Sequence, residues 1–239
     1  MAPPQLVLVT GAAGNVGRTV CAGLRPFFPL RTFDRVPTPD DPAAHVGDLT
    51  DRAAVDRAVA GVGTVIHLAG CPRMEAEFIR DLIKPNVEGL WHLLDAARLA
   101  GVRRFIFASS CNVAFGATEL RQLKTDTIHA LNPYGATKVF GESIGRWFFD
   151  TYGMEFLAVR IGYFRGLAVD PGLREAWLRR IWLGPRDCVK IFRLAIDAPK
   201  FGYGIVYACS RCPENYLDLT SARALLGYEP EEEVPAAAP

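Results

Sequence analysis

The sequence predicts an α/β fold, a doubly wound parallel sheet, from three observations. Short apolar runs (Gln5–Val9, Leu30–Phe33, Thr64–Leu68, Phe105–Ala108 and Phe156–Arg160) alternate with longer helical stretches. The runs at Thr64 and Phe105 are apolar throughout, as strands covered on both faces are. The first run enters a glycine turn, Thr10-Gly11-Ala12-Ala13-Gly14-Asn15-Val16-Gly17, that opens a helix.

That turn is how a dinucleotide site begins. Gly11 permits the tight turn, Gly14 removes a side chain where a pyrophosphate approaches the backbone, and Gly17 lets the helix pack close to the strand. The phosphates then meet the free N–H groups at the helix N-terminus. The second strand ends in Asp34, whose carboxylate can accept both hydroxyls of an adenosine ribose and would repel a 2′-phosphate. NAD is therefore favoured over NADP, with Arg35 beside it as the cation that would serve dual use.

Further along, Gly47-Asp48-Leu49-Thr50-Asp51 closes a short strand, and Thr50 or Asp51 caps a helix from about Arg52 to Ala60. Asp48 and Leu49 thus sit at a strand's carboxyl end, where one acid and one apolar residue could hold an adenine ring. The run Thr64–Leu68 ends in Ala69-Gly70, small residues that let backbone lie against a ligand. A long helix is expected over about 75–99, carrying Asn86 and an apolar face through Leu90, Leu94 and Ala97. Phe105–Ala108 then ends in Ser109-Ser110.

The chemistry follows. Asn132-Pro133 is a good cap and first position for a helix in which Tyr134 and Lys138, four residues apart, share a face. A phenol of pKa about 10 becomes a useful base near neutrality only if its phenolate is stabilised by about 3 to 4 kcal/mol. A lysine cation and a positive nicotinamide ring can supply that, and Ser110 can hydrogen-bond the same substrate oxygen. Together they form an acid–base set for hydride transfer at a carbinol.

Bulk properties exclude several classes. The chain's 239 residues can bury one sizeable core with a small appendage, and a net charge of +1 gives no electrostatic case for nucleic acid or an anionic membrane. Met1-Ala2-Pro3-Pro4 lacks the regions of a signal peptide, so a soluble cytoplasmic protein is expected. The six cysteines are expected as reduced thiols. Cys209-Ser210-Arg211-Cys212 has no second ligand pair at zinc spacing and the four histidines do not cluster, so no metal is expected.

These motifs identify a resemblance. Thr10-Gly11-x-x-Gly14-x-x-Gly17, Asp34, Asp48-Leu49, His67-Leu68-Ala69-Gly70, Ser110 and Tyr134-x-x-x-Lys138 resemble the extended short-chain dehydrogenase/reductases, the NAD-dependent epimerase/dehydratase family. Phe107-Ala108-Ser109-Ser110, Val159-Arg160-Ile161-Gly162, Trp182-Leu183-x-Pro185-Arg186-Asp187 and Leu226-Gly227-Tyr228-x-Pro230 are most similar to its uronate dehydrogenase group. The resemblance implies a Rossmann-type sheet, NAD as cofactor, and Ser110, Tyr134 and Lys138 as the catalytic set. Cofactor contacts carried over fall on Gly11, Gly14, Asn15, Val16, Gly17, Asp34, Arg35, Asp48, Leu49, Leu68, Ala69, Gly70, Asn86, Tyr134, Lys138 and Ile161. It also implies oxidation of a uronate at C1 to an aldarolactone, and homo-oligomers formed by pairing long helices, here near 80–99 and 134–151. A nucleotide-sugar epimerase or dehydratase and a non-catalytic NAD(P)-binding regulator are the alternatives. Short length argues against the first, and the Ser-Tyr-Lys set against the second.

Substrate contacts are expected at Ser110, Cys111, Asn112, Tyr134, Tyr163 and Arg174. The chain departs from the group here. Counting back from Gly116 puts the catalytic slot on Cys111, whereas counting forward from Phe107 puts it on Ser110, and the strand fixes register better than the loop. Tyr163 narrows the pocket where the group has a small hydroxyl residue, and the Cys71-Pro72-Arg73-Met74 loop differs from the group's serine-containing one. Arg174, Arg179 and Arg73 are the candidate cations for a substrate carboxylate. Residues 1–162 read as the dinucleotide-binding part, 163–228 as a small substrate-binding region, and 229–239 as a disordered tail.

Overall fold

In the computed structural model, residues 5–38, 41, 43–117, 119, 121–166 and 175–235 are described. The first half alternates strands and helices, except that β3 follows β2 directly. Strand β1 (Val7–Thr10) leads to helix α1 (Asn15–Leu24), then β2 (Leu30–Asp34), β3 (His45–Val46), α2 (Arg52–Val59) and β4 (Thr64–His67). Next come a π-helical segment (Phe78–Glu88), α3 (Gly89–Leu99), β5 (Arg104–Ser110), α4 (Pro133–Tyr152) and β6 (Glu155–Ile161). Helices α5 (Ala176–Arg179) and α6 (Pro185–Asp197), strand β7 (Tyr203–Ala208) and α7 (Thr220–Leu226) complete it.

The strands form one parallel sheet in the order β3-β2-β1-β4-β5-β6-β7. Successive side chains point to opposite faces, so Val7 and Val9 join one core and Leu8 the other. One core lies under α1, α6 and α7 and contains Val20, Leu24, Phe192 and Leu226; the other lies under α2, α3 and α4 and contains Val55, Leu94 and Phe148. Strand order reverses between β1 and β4, and the carboxyl ends on either side of that point are where such sheets bind ligands.

The expected helix over 75–99 is divided. Pro85 has no N–H for an α-helical bond, and the chain winds as a wide π-helix from Phe78 to Glu88 before Gly89 starts α3. Glu77 caps the π-segment by accepting from the N–H groups of Ile79 and Arg80. This winding matters because it carries Asn86 inward, where the side chain is buried.

The region after 162 is less of an appendage than its composition suggests. Strand β7 pairs with β6 along Tyr203–Ala208 and extends the main sheet, and Gly23 of α1 lies against Val189 of α6. The tail also differs from the expectation of disorder as far as Pro235. The N–H groups of Glu231 and Glu232 donate to the buried carboxylate of Asp187 (2.8 and 3.0 Å), and Glu232 Oε2 accepts from the Asp187 N–H near the start of α6. This docking is polar, so a search for an apolar face does not see it.

Buried charges are paired. At the amino end of β5, Arg104 bonds Glu155 (2.9 Å) and the carbonyls of Ala195, Ile196 and Ala198 at the end of α6, where a cation meets the helix dipole favourably. Nearer the carboxyl end, Arg160 and Glu142 make a two-pronged pair (both contacts 2.8 Å), and Glu142 also accepts from Ser109 (2.6 Å).

Candidate active site

The glycine turn has the shape the sequence requires. Gly11 has φ +70°, and a Cβ there would stand 2.5 Å from the Ala69 nitrogen, so β1 and the end of β4 meet only because that atom is missing. A Cβ on Gly17 would run into the Gly11 carbonyl. Gly14 starts α1 with extended backbone and no side-chain cap, so no capping side chain takes up the first N–H groups of the helix. Asp34, at the end of β2, accepts from the Ala13 N–H at 3.0 Å and is thereby fixed beside the turn. A carboxylate has capacity for further donors, so a ribose diol fits there, while Arg35 is exposed.

At the next strand end the two expected adenine contacts part. Asp48 accepts from the N–H and hydroxyl of Thr50 (2.9 and 2.8 Å), and these bonds, with the charges of Arg35 and Lys84, hold its carboxyl below the usual range. Asp51, rather than Thr50, caps α2 by accepting from Ala54. Leu49 is turned into the core against Gly89, because a continuous apolar wall there is worth more than an exposed leucine.

Beyond β4, the backbone at Gly70 has φ +143° and lies against Asn86. Asn86 accepts from the Cys71 N–H (2.7 Å) and donates to the Cys71 carbonyl (3.1 Å) and the Thr137 hydroxyl (3.0 Å). Its amide thus holds the 70–71 turn against α4.

A cavity of about 270 Å³ opens at the carboxyl ends of β4, β5 and β6. Val16, Leu68, Gly70, Ser110, Asn112, Tyr134, Lys138, Ile161 and Tyr163 line it, together with Cys71, Pro72 and Met74 of the loop after β4, and Phe164. The latter four sit in loops, where no periodicity marks a wall residue. Ala69 packs beside it on the α3 side of the sheet.

Asn132 caps α4 by accepting from the Gly135 N–H at 2.8 Å, and Pro133 follows with its fixed φ. This places Tyr134 in the first turn and Lys138 one turn on. Lys138 Nζ donates to the Ala108 carbonyl (2.8 Å) and lies 5.6 Å from the centre of the Tyr134 ring. Burial lowers the Lys138 ammonium to about 8, opposed by Glu142. Burial also raises the Tyr134 phenol to about 12, while a hydrogen bond from Ser110 works in the opposite direction. Ser110 is the last residue of β5 and lines the cavity, whereas Cys111 enters the core, where desolvation pushes its thiol to about 12. Cys111 is therefore corrected from substrate contact to core residue.

The arginines are redistributed. Arg179 donates to the Pro235 carbonyl (2.6 Å), Arg73 pairs with Asp81 (3.3 Å), and Arg174 lies outside the described residues. Arg165, not singled out in the sequence, donates to the hydroxyl of the cavity residue Tyr163 at 2.9 Å. Among the described residues no cluster of His, Cys, Asp or Glu could hold a metal, and no helix is long and apolar enough to cross a membrane.

The profile of the NAD dependent epimerase/dehydratase family matches residues 7–184. The chain belongs to that family. The glycine turn and Asp34 fit the cofactor that the family name carries. Among the family's characterised proteins, the chain is 35% identical to the NAD-dependent glucose-6-phosphate dehydrogenase of Haloferax volcanii, over 95% of this chain and 94% of that one. It is 33% identical to a uronate dehydrogenase of Pseudomonas putida, over 96% and 85%. The crystal structure of uronate dehydrogenase from Agrobacterium tumefaciens superposes with a TM-score of 0.84 at 31% identity, covering 96% of this chain and 85% of that one.

Proposed function

We propose that the protein is an NAD-dependent dehydrogenase that oxidises the C1 hydroxyl of a free sugar or sugar acid to a lactone. The observation that carries this reading is the convergence of Ser110, Tyr134 and Lys138 on one cavity next to the glycine turn. The printed activities of the relatives, glucose-6-phosphate and uronate dehydrogenases, support a sugar as substrate.

Bound NAD supplies a two-electron hydride acceptor and a positive charge that favours a phenolate. Tyr134, as phenolate, takes the proton of the C1 hydroxyl while the C1–H bond gives up its hydride and the C–O bond becomes C=O. Ser110 donates to the reacting oxygen and steadies its charge. The Lys138 ammonium has three donors, one of them on Ala108, so it can also hold a ribose hydroxyl. Residues 1–162 bind the dinucleotide and 163–228 the substrate.

A cytoplasmic site of action is supported by six free thiols. A dimer formed through α3 and α4 is supported by the exposed, stacked Trp91 and Trp147 (ring centres 6.1 Å apart) on those helices. Sedimentation of Trp147→Glu checks it: the dimer reading requires a shift to monomer.

The test of the reaction is nicotinamide absorbance after mixing the protein and NAD with galacturonate, glucuronate, glucose 6-phosphate, arabinose or a nucleotide sugar. NADH accumulates with at least one free sugar under this reading. Conversion of the nucleotide sugar with no net NADH would replace it with an epimerase.

A further inference from the structure

The Ser110 hydroxyl has its direction set from a distance. The Gly135 N–H can only donate, and Asn132 Oδ1 accepts from it at 2.8 Å, which leaves the amide nitrogen of Asn132 pointing the other way. That nitrogen donates to Asn112 Oδ1 at 3.1 Å, so the Asn112 side chain must in turn present its own nitrogen, which donates to Ser110 Oγ at 3.1 Å. The Asn112 backbone N–H donates to the same oxygen at 3.2 Å. Both lone pairs of Ser110 are then taken and its proton must point elsewhere. Tyr134 lines the same cavity as Ser110, and its phenol oxygen is the acceptor offered there.

We propose that Asn132 and Asn112 are positioning residues in a one-way hydrogen-bond chain, anchored on a backbone N–H of α4, that turns the Ser110 proton onto Tyr134. The chain runs Gly135 N–H to Asn132, Asn132 to Asn112, Asn112 to Ser110, and Ser110 to Tyr134. Amide orientations within such a chain are otherwise ambiguous, and the unreversible backbone donor at its origin removes the ambiguity. The geometry is tightly built: the Leu131 N–H donates to the Asn112 carbonyl (3.1 Å), and a Cβ on Gly135 would stand 2.5 Å from that carbonyl. Bonds in such a series polarise one another, so the last donor in the line is strengthened.

The consequence is that Ser110 serves Tyr134 only as a donor, and a donor stabilises phenolate over phenol. The other titratable groups facing Tyr134 are Lys138 on its own helix, with Glu142 beyond it, the Cys71 thiol on the turn after β4, and the Cys111 thiol after β5.

This inference rests on the proposed reaction for its purpose, but its test does not need turnover. Asn132→Asp keeps a good helix cap and nearly the same shape but cannot donate to Asn112. The Asn112 amide then turns its nitrogen to the new carboxylate and its oxygen to Ser110, whose proton leaves Tyr134. Asn132→Ser keeps a cap without adding charge and releases Asn112. The protein is made with 3-fluorotyrosine, and the fluorine resonance that Tyr134→Phe removes is followed against pH without cofactor. Both Asn132 variants should move its midpoint upward, the aspartate variant by about one pH unit and the serine variant by less, with melting temperatures close to wild type. An unmoved midpoint in both, or a shift in the aspartate variant alone, overturns the chain, the second because charge would then be the whole cause. Absence of NADH formation by the wild type would count against the proposed reaction and leave this readout intact.

Discussion

The Lys138 ammonium sits 5.6 Å from the centre of the Tyr134 ring, one helical turn away, with one of its donors fixed on the Ala108 carbonyl. The strand thereby holds the lysine beside the phenol, in the lining of the same cavity. Helix α4 and strand β5 contribute to the site as one rigid unit.

Tyr134→Phe removes the base while keeping the ring. Turnover should fall by at least 10²–10⁴-fold with NADH affinity, read by fluorescence titration, changed little. Equal losses of binding and rate would point to a structural role.

Ser110→Ala deletes the donor that lowers the Tyr134 pKa. Less phenolate is then present at a given pH, so the rising limb of the rate–pH profile should move to higher pH by about one unit. A limb that stays in place would separate Ser110 from the titration of Tyr134.

The two glycine contexts predict opposite outcomes. Gly17→Ala drives a methyl into the Gly11 carbonyl, which is backbone and cannot move aside; it should cost about 1–3 kcal/mol of stability and weaken NADH binding more than tenfold. Gly61→Ala meets nothing within 4 Å and bears only the strain of φ +71°, about 1 kcal/mol, with NADH affinity unchanged. Urea unfolding and cofactor titration of the two variants check this.

His67 makes the protein sensitive to acid. Its ring is buried against the Thr10 hydroxyl (2.7 Å), and burial, aided by the Lys138 charge, pushes its pKa down to about 3. The unfolded chain therefore binds a proton that the folded one refuses as pH falls below about 6.5, and stability drops through that window. At pH 5 the loss from this residue is about 2 kcal/mol. Urea unfolding at pH 7.5 and 5 should show that difference for wild type and a smaller one for His67→Asn.

Glu142→Gln leaves the Arg160 charge buried with a neutral partner and should destabilise by about 3–5 kcal/mol. A thermal melt that did not change would mean that the Thr127 and Tyr207 contacts suffice for Arg160.

Much of this site is legible in the chain because its demands are local. A glycine at φ +70°, an acid at a strand end, an asparagine before proline and a tyrosine four residues from a lysine each follow from short-range geometry. What escaped was set by tertiary neighbours. Cys111 and Leu49 entered the core because helices elsewhere cover them, Asn86 turned to Cys71 because the Pro85 winding carries it inward, and the tail docked on Asp187 through backbone N–H groups. The Asn132–Asn112–Ser110 connection joins residues 20 positions apart, which spacing alone does not pair.

The most direct measurement is the fate of the hydrogen on the carbinol carbon. Glucuronate or glucose 6-phosphate deuterated at C1 is mixed with NAD and the protein, and the reduced nicotinamide is analysed by mass. Accumulated NADH carrying one deuterium is the predicted result, since the C1 hydride passes directly to the cofactor while Tyr134 takes only the hydroxyl proton. NADH without deuterium, or no NADH from any of the free sugars, would contradict the account.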